Sequence, residues 1–285
     1  KVLNFPVILK AVDLMGSRGI FRCDTKEEVF THYADTMNAT GKDYCLLEEF
    51  IEGTMLGCEA MLSKGKLLYC LPNNIENYPA HVPTPIGHSV PYKKQDTLGE
   101  EVQKQVLLAI QALGMDNCPV NCDLMEKDGK IYVIEITGRA GGNCLPEMVG
   151  IYYGIDYYEA IVRLAMDMQA EELFQDQKNR FQNAAQRKCG ERPENTDGNL
   201  NRVTPNLSHI LTSDRDGILK AIHNDNEASP DLLDLSFNVE PGEEIRHYEN
   251  GRDRLGQVII CGETLDACEQ RLNEVLSKLN IEFIS

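Results

Sequence analysis

Apolar and polar positions along the chain follow two different periods. Short apolar runs bounded by turn residues are typical of strands, and they occur at 5–9, 45–51, 59–70 (a hairpin), 208–211 and 254–261. Apolar residues at helical spacing predict helices, over 98–113, 156–168 and 265–279. Thr25 and Glu28 have the spacing of a capping box, which predicts a further helix running to about residue 38. The mixture predicts an α+β protein.

A hairpin within residues 121–137 carries two carboxylates, Asp123 and Glu135. A two-residue loop would place them on opposite faces, because side chains alternate along a strand. The turn Lys127-Asp128-Gly129 suggests a three-residue loop with Gly129 in the left-handed position of a bulge, which gives both carboxylates the same face. We then expect them to be diagonal neighbours, roughly 7–8 Å apart at Cβ.

The surroundings of Glu135 indicate a ligand for this pair. The apolar run Ile131–Ile136 predicts a buried strand, and a buried carboxylate is costly unless a cation or a donor satisfies it. Magnesium takes hard oxygen ligands and usually shares its coordination shell with substrate phosphates. The alternative is an ordinary antiparallel hairpin with one polar face in water.

Composition narrows the classes of partner. The 285 residues suggest two or three compact units, and the net charge of −17 with a pI near 4.8 argues against nucleic acid or an anionic membrane as partners. The ten cysteines include no C-x-x-C pair, which is typical of free thiols in a reducing compartment. The chain has no signal peptide and no apolar run long enough to span a bilayer, so we predict a cytoplasmic protein.

Breaks in the pattern divide the chain into four segments. We expect two subdomains at 1–75 and 76–169, a polar linker or lid at 170–200, and a C-terminal domain at 201–285. The chain opens at Lys1 without a methionine and enters a strand pattern almost at once. This start predicts that the chain is a fragment of a longer protein.

A second chemical pattern follows the first strand. Gly16, Ser17 and Gly19 form a glycine-rich loop whose backbone N–H groups could approach phosphate oxygens, and Lys10 supplies a positive charge beside it. The loop has neither the P-loop pattern nor the Rossmann fingerprint. The alternative is a plain surface turn.

The order of these pieces resembles the ATP-grasp superfamily. A strand ending in Lys10, the glycine-rich loop, a strand running into 48–53 and the acidic hairpin ending at Arg139 follow one another as in its carboxylate–amine ligases and in the ATP-binding half of the carbamoyl-phosphate synthase large chain. The resemblance covers residues 5–168, and more loosely 205–285. It implies two α/β subdomains that clasp ATP and a C-terminal α+β closing domain. It also implies an N-terminal domain of about a hundred residues, which we expect to be missing from this chain.

The resemblance also assigns roles to single residues. It implies that Lys10 binds the α- and β-phosphates, that Gly16, Ser17 and Gly19 cover the triphosphate, that Glu48, Glu49 and Ile51 hold adenine, that His88 contacts the nucleotide, that Asp123, Glu135 and Thr137 bind magnesium or manganese, and that Arg139 lies beside the γ-phosphate. Two alternatives remain open: His88 as a solvent-facing loop residue, and Arg139 as a structural salt bridge.

Two positions depart from the family pattern. Thr137 stands where the family usually has asparagine, and Met55 stands where a ribose-binding glutamate is usual, with Glu59 further along the same strand. Both departures bear on whether the protein turns ATP over.

The resemblance implies an ATP- and magnesium-dependent ligase. It would form an acyl phosphate from a small carboxylate and join it to an amine, with Lys10 and Arg139 acting at the reacting phosphate. The carboxylate and the amine would be small molecules, and a homodimer is a candidate assembly. The alternatives are a bicarbonate phosphorylation of the carbamoyl-phosphate synthase kind, and a nucleotide-binding module without turnover.

Overall fold

A computed structural model describes residues 3–14, 16, 18–79, 84–175 and 203–284. The strands are β1 (Val7–Lys10), β2 (Ile20–Cys23), β3 (Leu46–Glu49), β4 (Thr54–Ser63), β5 (Lys66–Tyr78), β6 (Thr84–Val90), β7 (Pro119–Lys127), β8 (Lys130–Thr137), β9 (Asn206–Leu211), β10 (Gly217–Asn224), β11 (Leu232–Phe237), β12 (Glu244–Ile245), β13 (Gly256–Cys261) and β14 (Leu279–Phe283). The helices are α1 (Lys26–Ala39), α2 (Gln95–Leu113), α3 (Leu145–Tyr153), α4 (Tyr157–Ala165), α5 (Glu171–Gln175) and α6 (Leu265–Ser277).

The N-terminal unit is a small antiparallel sheet with strand order β2-β1-β3, packed against α1. Val7 and Leu9 alternate along β1 and form its core with Cys23. Helix α1 begins at the predicted cap, because the Thr25 hydroxyl accepts a hydrogen bond from the Glu28 amide at 3.2 Å.

An eight-stranded antiparallel sheet with the order β11-β13-β9-β6-β5-β4-β7-β8 forms the centre of the molecule. The predicted domain boundary at residue 75 falls inside β5, so β4, β5 and β6 belong to one hydrogen-bonded sheet. The C-terminal strand β9 pairs with β6, and this pairing makes the C-terminal strands continuous with the central ones. Strand pairing thus crosses two of the predicted boundaries, and the division of the chain into four segments stays a prediction.

Strand alternation separates two apolar cores on this sheet. One face of β4 carries Leu56, Cys58, Ala60 and Leu62, which pack against α2 through such residues as Val106. The other face carries Met61, which packs with α3, α4 and α5. Gly57 and Glu59 belong to this second face, and it is the face that holds the candidate site.

The C-terminal part adds α6 and a second three-stranded sheet, with strand order β12-β10-β14. Their core includes Leu219, Val258 and Val275. Of the predicted polar segment 170–200, residues 171–175 form α5, and 176–200 lie outside the described residues. No helix in the described ranges has both the length and the apolar character needed to cross a bilayer.

Candidate active site

The hairpin of β7 and β8 brings Asp123 and Glu135 to the same face, but not by the predicted turn. The turn has two residues, Asp128 and Gly129, both with positive φ (52° and 74°). Asp123 nevertheless lies directly opposite Glu135, because the register shifts further along the hairpin and leaves Ile134 as an extra residue. The expected diagonal placement and the three-residue loop are therefore wrong, whereas the shared face is correct.

The predicted burial of β8 is also wrong. Among the described residues β8 is the edge strand of the large sheet, and α2 covers only one of its faces. Tyr132 and Val133 are 38% and 36% exposed, and Glu135 is exposed as well. A continuous apolar run cannot distinguish a strand covered on both faces from an edge strand.

Asp123 is the more buried member of the carboxylate pair. Its pKa is raised to about 6, chiefly by burial and also by the negative charge of Glu135, against the lowering effect of Arg139 and Lys10. Lys10 and Arg139 are therefore close enough to act on Asp123 electrostatically. Lys10 comes from β1 and Arg139 follows β8, so the fold assembles these four charged groups from separate parts of the chain.

The two carboxylates fit a divalent cation. No hydrogen bond from the described residues reaches either of them, and the negative charge of Glu135 adds to the cost of ionising Asp123. Within the same ranges, no three His, Cys, Asp or Glu side chains converge closely enough to hold a metal ion by themselves. Magnesium needs no such cluster, because it usually binds through one or two carboxylates with water and substrate phosphates completing its shell.

Lys10 and the predicted adenine segment lie together. The Lys10 ammonium forms an ion pair with Glu48, which lies on the adjacent strand β3. Glu48 and Glu49 end β3, and Ile51 lies in the short link between β3 of the small sheet and β4 of the large one. These residues therefore occupy the crossing between the two sheets, where an adenine hinge is predicted.

The glycine-rich loop is described only in part. Ser17 lies outside the described residues. Gly19 has a positive φ of 68°, and a Cβ there would lie 3.0 Å from the Ala11 Cβ, so the position requires glycine for packing as well as for its backbone. A Cβ on Gly16 would lie 3.8 Å from the Gly251 amide, which places the loop beside the C-terminal segment.

That C-terminal segment also reaches the turn after Arg139. The Arg254 guanidinium donates to the Asn143 side-chain oxygen at 3.1 Å, and the Ser208 hydroxyl donates to the Asn143 carbonyl at 2.8 Å. The C-terminal part thus contacts both the glycine-rich loop and the turn that follows β8.

Glu59, which the sequence suggested only for the ribose, is a buried carboxylate linked to Arg139. Glu59 is 0% exposed, and it accepts hydrogen bonds from the Asn121 side-chain amide at 2.7 Å and from the Gly141 backbone at 3.1 Å. Asn121 in turn accepts from Arg139 at 3.3 Å. Burial raises the pKa of Glu59 to about 8, against the lowering effect of Gly141, Asn121 and Arg139. Glu59 therefore has a structural position. Both of its carboxyl oxygens already accept hydrogen bonds within the protein, so they are not free for the ribose role suggested above.

His88 lies on the same face of the sheet. It is buried, its Nδ1 atom lies 2.9 Å from the Asn73 side-chain oxygen, and burial lowers its pKa to about 4. The solvent-facing loop alternative is wrong, because His88 lies within β6 at 6% exposure. Its contact with a nucleotide stays a prediction.

The two departures from the family pattern differ in their surroundings. Thr137 pairs with Asn121 across the hairpin, and its hydroxyl donates to the Asn121 carbonyl at 3.4 Å. Met55 pairs with Met125, so an apolar pair occupies the place of the usual glutamate. Metal binding by Thr137 stays a prediction.

Comparison with known proteins identifies the class. Residues 3–147 match the ATP-grasp domain, and this match covers half of the chain. The chain belongs to the ATP-grasp family, which confirms the family and the fold predicted from the sequence. Residues 209–283 match L-amino acid ligase C-terminal domain 2.

Individual relatives agree with this assignment. Phosphoribosylglycinamide synthetase from Anaerococcus prevotii is 35% identical, with a TM-score of 0.73, and the alignment covers 99% of this chain and 65% of that one. L-amino acid ligase from Bacillus licheniformis shares the fold, with 18% identity, a TM-score of 0.77, and coverage of 100% and 65%. The protein y4rH of Sinorhizobium fredii is 22% identical over 98% of this chain, which spans 53% of its length. The chain thus spans about half to two thirds of these relatives.

Proposed function

We propose that the protein is an ATP- and magnesium-dependent ligase that activates a small carboxylate as an acyl phosphate and joins it to an amine. The observation that carries this proposal is the directly paired carboxylates Asp123 and Glu135, which accept no hydrogen bond from the described residues. Lys10 and Arg139 lie close enough to lower the pKa of Asp123. The match of residues 209–283 to an L-amino acid ligase domain supports an amino acid as one substrate.

The barrier to such a reaction is mainly electrostatic. A substrate carboxylate attacks the γ-phosphorus of ATP, the bond to the β-phosphate oxygen breaks, and ADP leaves; the amine then displaces phosphate from the acyl phosphate. An anion attacks an anion in the first step, so positive charge and positioning have the largest effect on rate. Lys10 and Arg139 supply two such charges, and a planar guanidinium can hold phosphoryl or carboxylate oxygens in a bidentate manner.

Asp123 and Glu135 would hold magnesium or manganese, with Thr137 as a candidate third ligand. A divalent ion at this place neutralises phosphate oxygens and aligns the triphosphate. Glu59, through Asn121, would help to hold the Arg139 side chain in place, together with the Ala140 carbonyl, which accepts from Arg139 at 2.7 Å. The glycine-rich loop 16–19 and the segment near Gly251 would close over the phosphates and keep water from the acyl phosphate.

We place this reaction in the cytoplasm. Each of the nine cysteines in the described ranges is a free thiol, as is usual in a reducing compartment. The net charge of −17 argues against polyanionic partners and leaves small molecules as the natural ones.

The experiment uses the protein expressed from its complete reading frame. Single amino acids and small carboxylates are supplied with ATP and magnesium, alone and in pairs, and release of ADP and phosphate is measured. We expect stoichiometric ADP and phosphate release that requires both a carboxylate and an amine, with the joined product visible by mass spectrometry.

Two other outcomes would replace the proposal. ADP release with bicarbonate alone would support the bicarbonate phosphorylation considered above. Tight binding of ATP with no ADP formation under any substrate pair would support a binding module, a reading that Thr137 and Met55 permit.

A further inference from the structure

The row of residues that contains the two carboxylates continues across the sheet. Asp123 pairs with Gly57 on β4, and Gly57 pairs with Asn73 on β5. Directly paired residues place their side chains on the same face. Asn73, Gly57, Asp123 and Glu135 therefore form one row across four neighbouring strands, which we call the acidic row.

Gly57 leaves the middle of the acidic row without a side chain, and Asn73 fills that space. A Cβ at position 57 would lie 2.6 Å from the Asn73 oxygen and 2.8 Å from its nitrogen. The carboxamide therefore lies over β4, one strand spacing of about 4.8 Å from the strand that carries Asp123. The glycine is what allows Asn73 to extend toward the carboxylate pair.

His88 determines which end of the Asn73 amide is free. Its Nδ1 atom lies 2.9 Å from the Asn73 Oδ1 atom, and a carbonyl oxygen can only accept. Nδ1 therefore donates, and the Asn73 Nδ2 group faces away from the imidazole. Burial keeps His88 neutral at physiological pH by lowering its pKa to about 4, so this orientation does not change near pH 7.

The free end of the amide has no partner among the described residues. Asn73 is 1% exposed, and its Nδ2 atom makes no hydrogen bond to any described residue. Other buried polar atoms in the described ranges also lack partners, but only this one belongs to the acidic row. A buried donor without an acceptor leaves its desolvation uncompensated, and a bound oxygen would remove that cost.

We propose that the Asn73 Nδ2 group binds an anionic oxygen of a substrate. In the acidic row, Asn73 and Asp123 lie on the two sides of Gly57. The inference rests on the proposed function and names a subsite within it. The oxygen belongs either to the terminal phosphate of ATP or to the substrate carboxylate, since both present an acceptor beside the metal carboxylates. Asn73 is thus a binding residue that extends the site from β7 and β8 toward β5 and β6.

The neighbouring Asn74 provides a matched control. It lies on the opposite face, and its side chain is fully engaged: it donates to the carbonyls of Ser89 at 3.1 Å and Pro91 at 2.9 Å and accepts from the Lys93 amide at 2.9 Å. Asn74→Ala should lower the thermal stability of the protein without changing ligand binding. Asn73→Ala and Asn73→Asp are the test variants.

The test measures binding of Mg-ADP and of the non-hydrolysable Mg-AMPPNP by calorimetry in the intact protein, together with the KM for each carboxylate that is turned over. If Asn73 holds the terminal phosphate, Asn73→Ala weakens AMPPNP binding about tenfold and leaves ADP unchanged. If it holds the carboxylate, both nucleotides bind as before and the KM for that substrate rises about tenfold. Asn73→Asp should weaken the affected interaction more than Asn73→Ala does in either case, because it replaces a hydrogen-bond donor by a negative charge.

Two results would overturn the inference. One is a folded Asn73→Ala protein with nucleotide affinities and KM within twofold of the wild type, which would indicate a buried water site. The other is an equal loss of binding in Asn74→Ala. Turnover by the wild type tests the proposed function separately. A wild type that binds AMPPNP but releases no ADP overturns the proposed function, and unchanged AMPPNP binding by Asn73→Ala then overturns the inference as well. Absence of all nucleotide binding overturns both.

Discussion

Asp123 and Glu135 stand directly opposite each other because β8 has one residue more than β7 between this pair and the turn. Without the extra residue, Ile134, the two-residue turn would put the carboxylates on opposite faces. Burial and, after it, the like charge of Glu135 raise the cost of ionising Asp123, whose pKa is raised to about 6. An arrangement that is unfavourable without a cation becomes favourable with one.

Removing one of these charges should separate metal binding from stability. In Glu135→Gln we expect the ligand-free protein to melt at the same or a higher temperature, because the repulsion on Asp123 is gone. The extra thermal stabilisation by Mg-ADP should disappear, and ADP formation should fall at least about 100-fold, since a metal ion contributes several kcal/mol. Glu100→Gln, at an exposed position of α2, serves as the control. A Glu135→Gln protein that retains normal ADP formation would contradict the metal assignment.

Replacing Lys10 should affect nucleotide binding far more than folding. Its partner Glu48 is 44% exposed, so we expect Lys10→Met to change the free energy of unfolding by no more than about 1 kcal/mol. Loss of a charge beside the phosphates should weaken Mg-ATP binding about tenfold or more, because hydrogen bonds to charged groups contribute about 1.5–3 kcal/mol. Calorimetry on Lys10→Met and on Lys104→Met, whose exposed lysine pairs with Glu101 on α2, makes the comparison. Equal affinities in the two variants would exclude a phosphate role for Lys10.

Glu59 predicts a pH dependence of stability. Its pKa is raised to about 8 in the folded protein from 4.5, so below about pH 4.5 the group is neutral in both states and its contribution is fully present. As the pH rises from about 4.5 to about 8, the unfolded chain ionises while the folded one stays neutral, and the free energy of unfolding falls with a slope approaching about 1.4 kcal/mol per pH unit. Above that range the contribution is lost.

Denaturation of the wild type and of Glu59→Gln across pH 4–9 checks this expectation. The difference in unfolding free energy between the two should follow the stated window, and Glu101→Gln, a change on α2, should not alter it. A difference that stays constant with pH would mean that Glu59 is ionised in the folded protein.

The turn after Arg139 contains two neighbouring glycines, Gly141 and Gly142, whose replacement by alanine should have different effects. A Cβ on Gly141 would lie 2.6 Å from the Glu59 Oε1 atom and 2.5 Å from the Leu145 Cδ1 atom, whereas a Cβ on Gly142 would meet nothing within 4 Å. Gly141→Ala should therefore cost about 1–3 kcal/mol of stability and lower kcat by displacing Arg139, and Gly142→Ala should do neither. Thermal unfolding and steady-state rates on the two variants decide between these effects. Similar behaviour of both variants would argue against a tightly packed turn.

The carboxylate pair and the lysine could be found from the sequence because residue type and order carry that information locally. The geometry of the pair could not, since apart from Glu135 itself every residue of Ile131–Ile136 is apolar, and the run gives no alternation from which a register shift could be read. The sequence therefore predicted correctly that the two carboxylates share a face, but it did so from an incorrect turn.

Glu59 illustrates a second limit. A glutamate within an apolar strand is itself a signal, but its partners Asn121 and Gly141 lie 62 and 82 residues further along the chain. Nothing in the local pattern links positions so far apart. The same holds for the pairing of β6 with β9, which joins strands that the sequence assigned to separate domains.

That pairing has a practical consequence. Gly87–Val90 of β6 hydrogen-bond to Asn206–His209 of β9, so a chain cut anywhere before β9 would leave β6 as a bare sheet edge. Exposed edges recruit strands from other molecules. We therefore expect truncated versions that end after α5 to aggregate during expression, and attempts to isolate the nucleotide-binding half for crystallisation should retain the C-terminal strands.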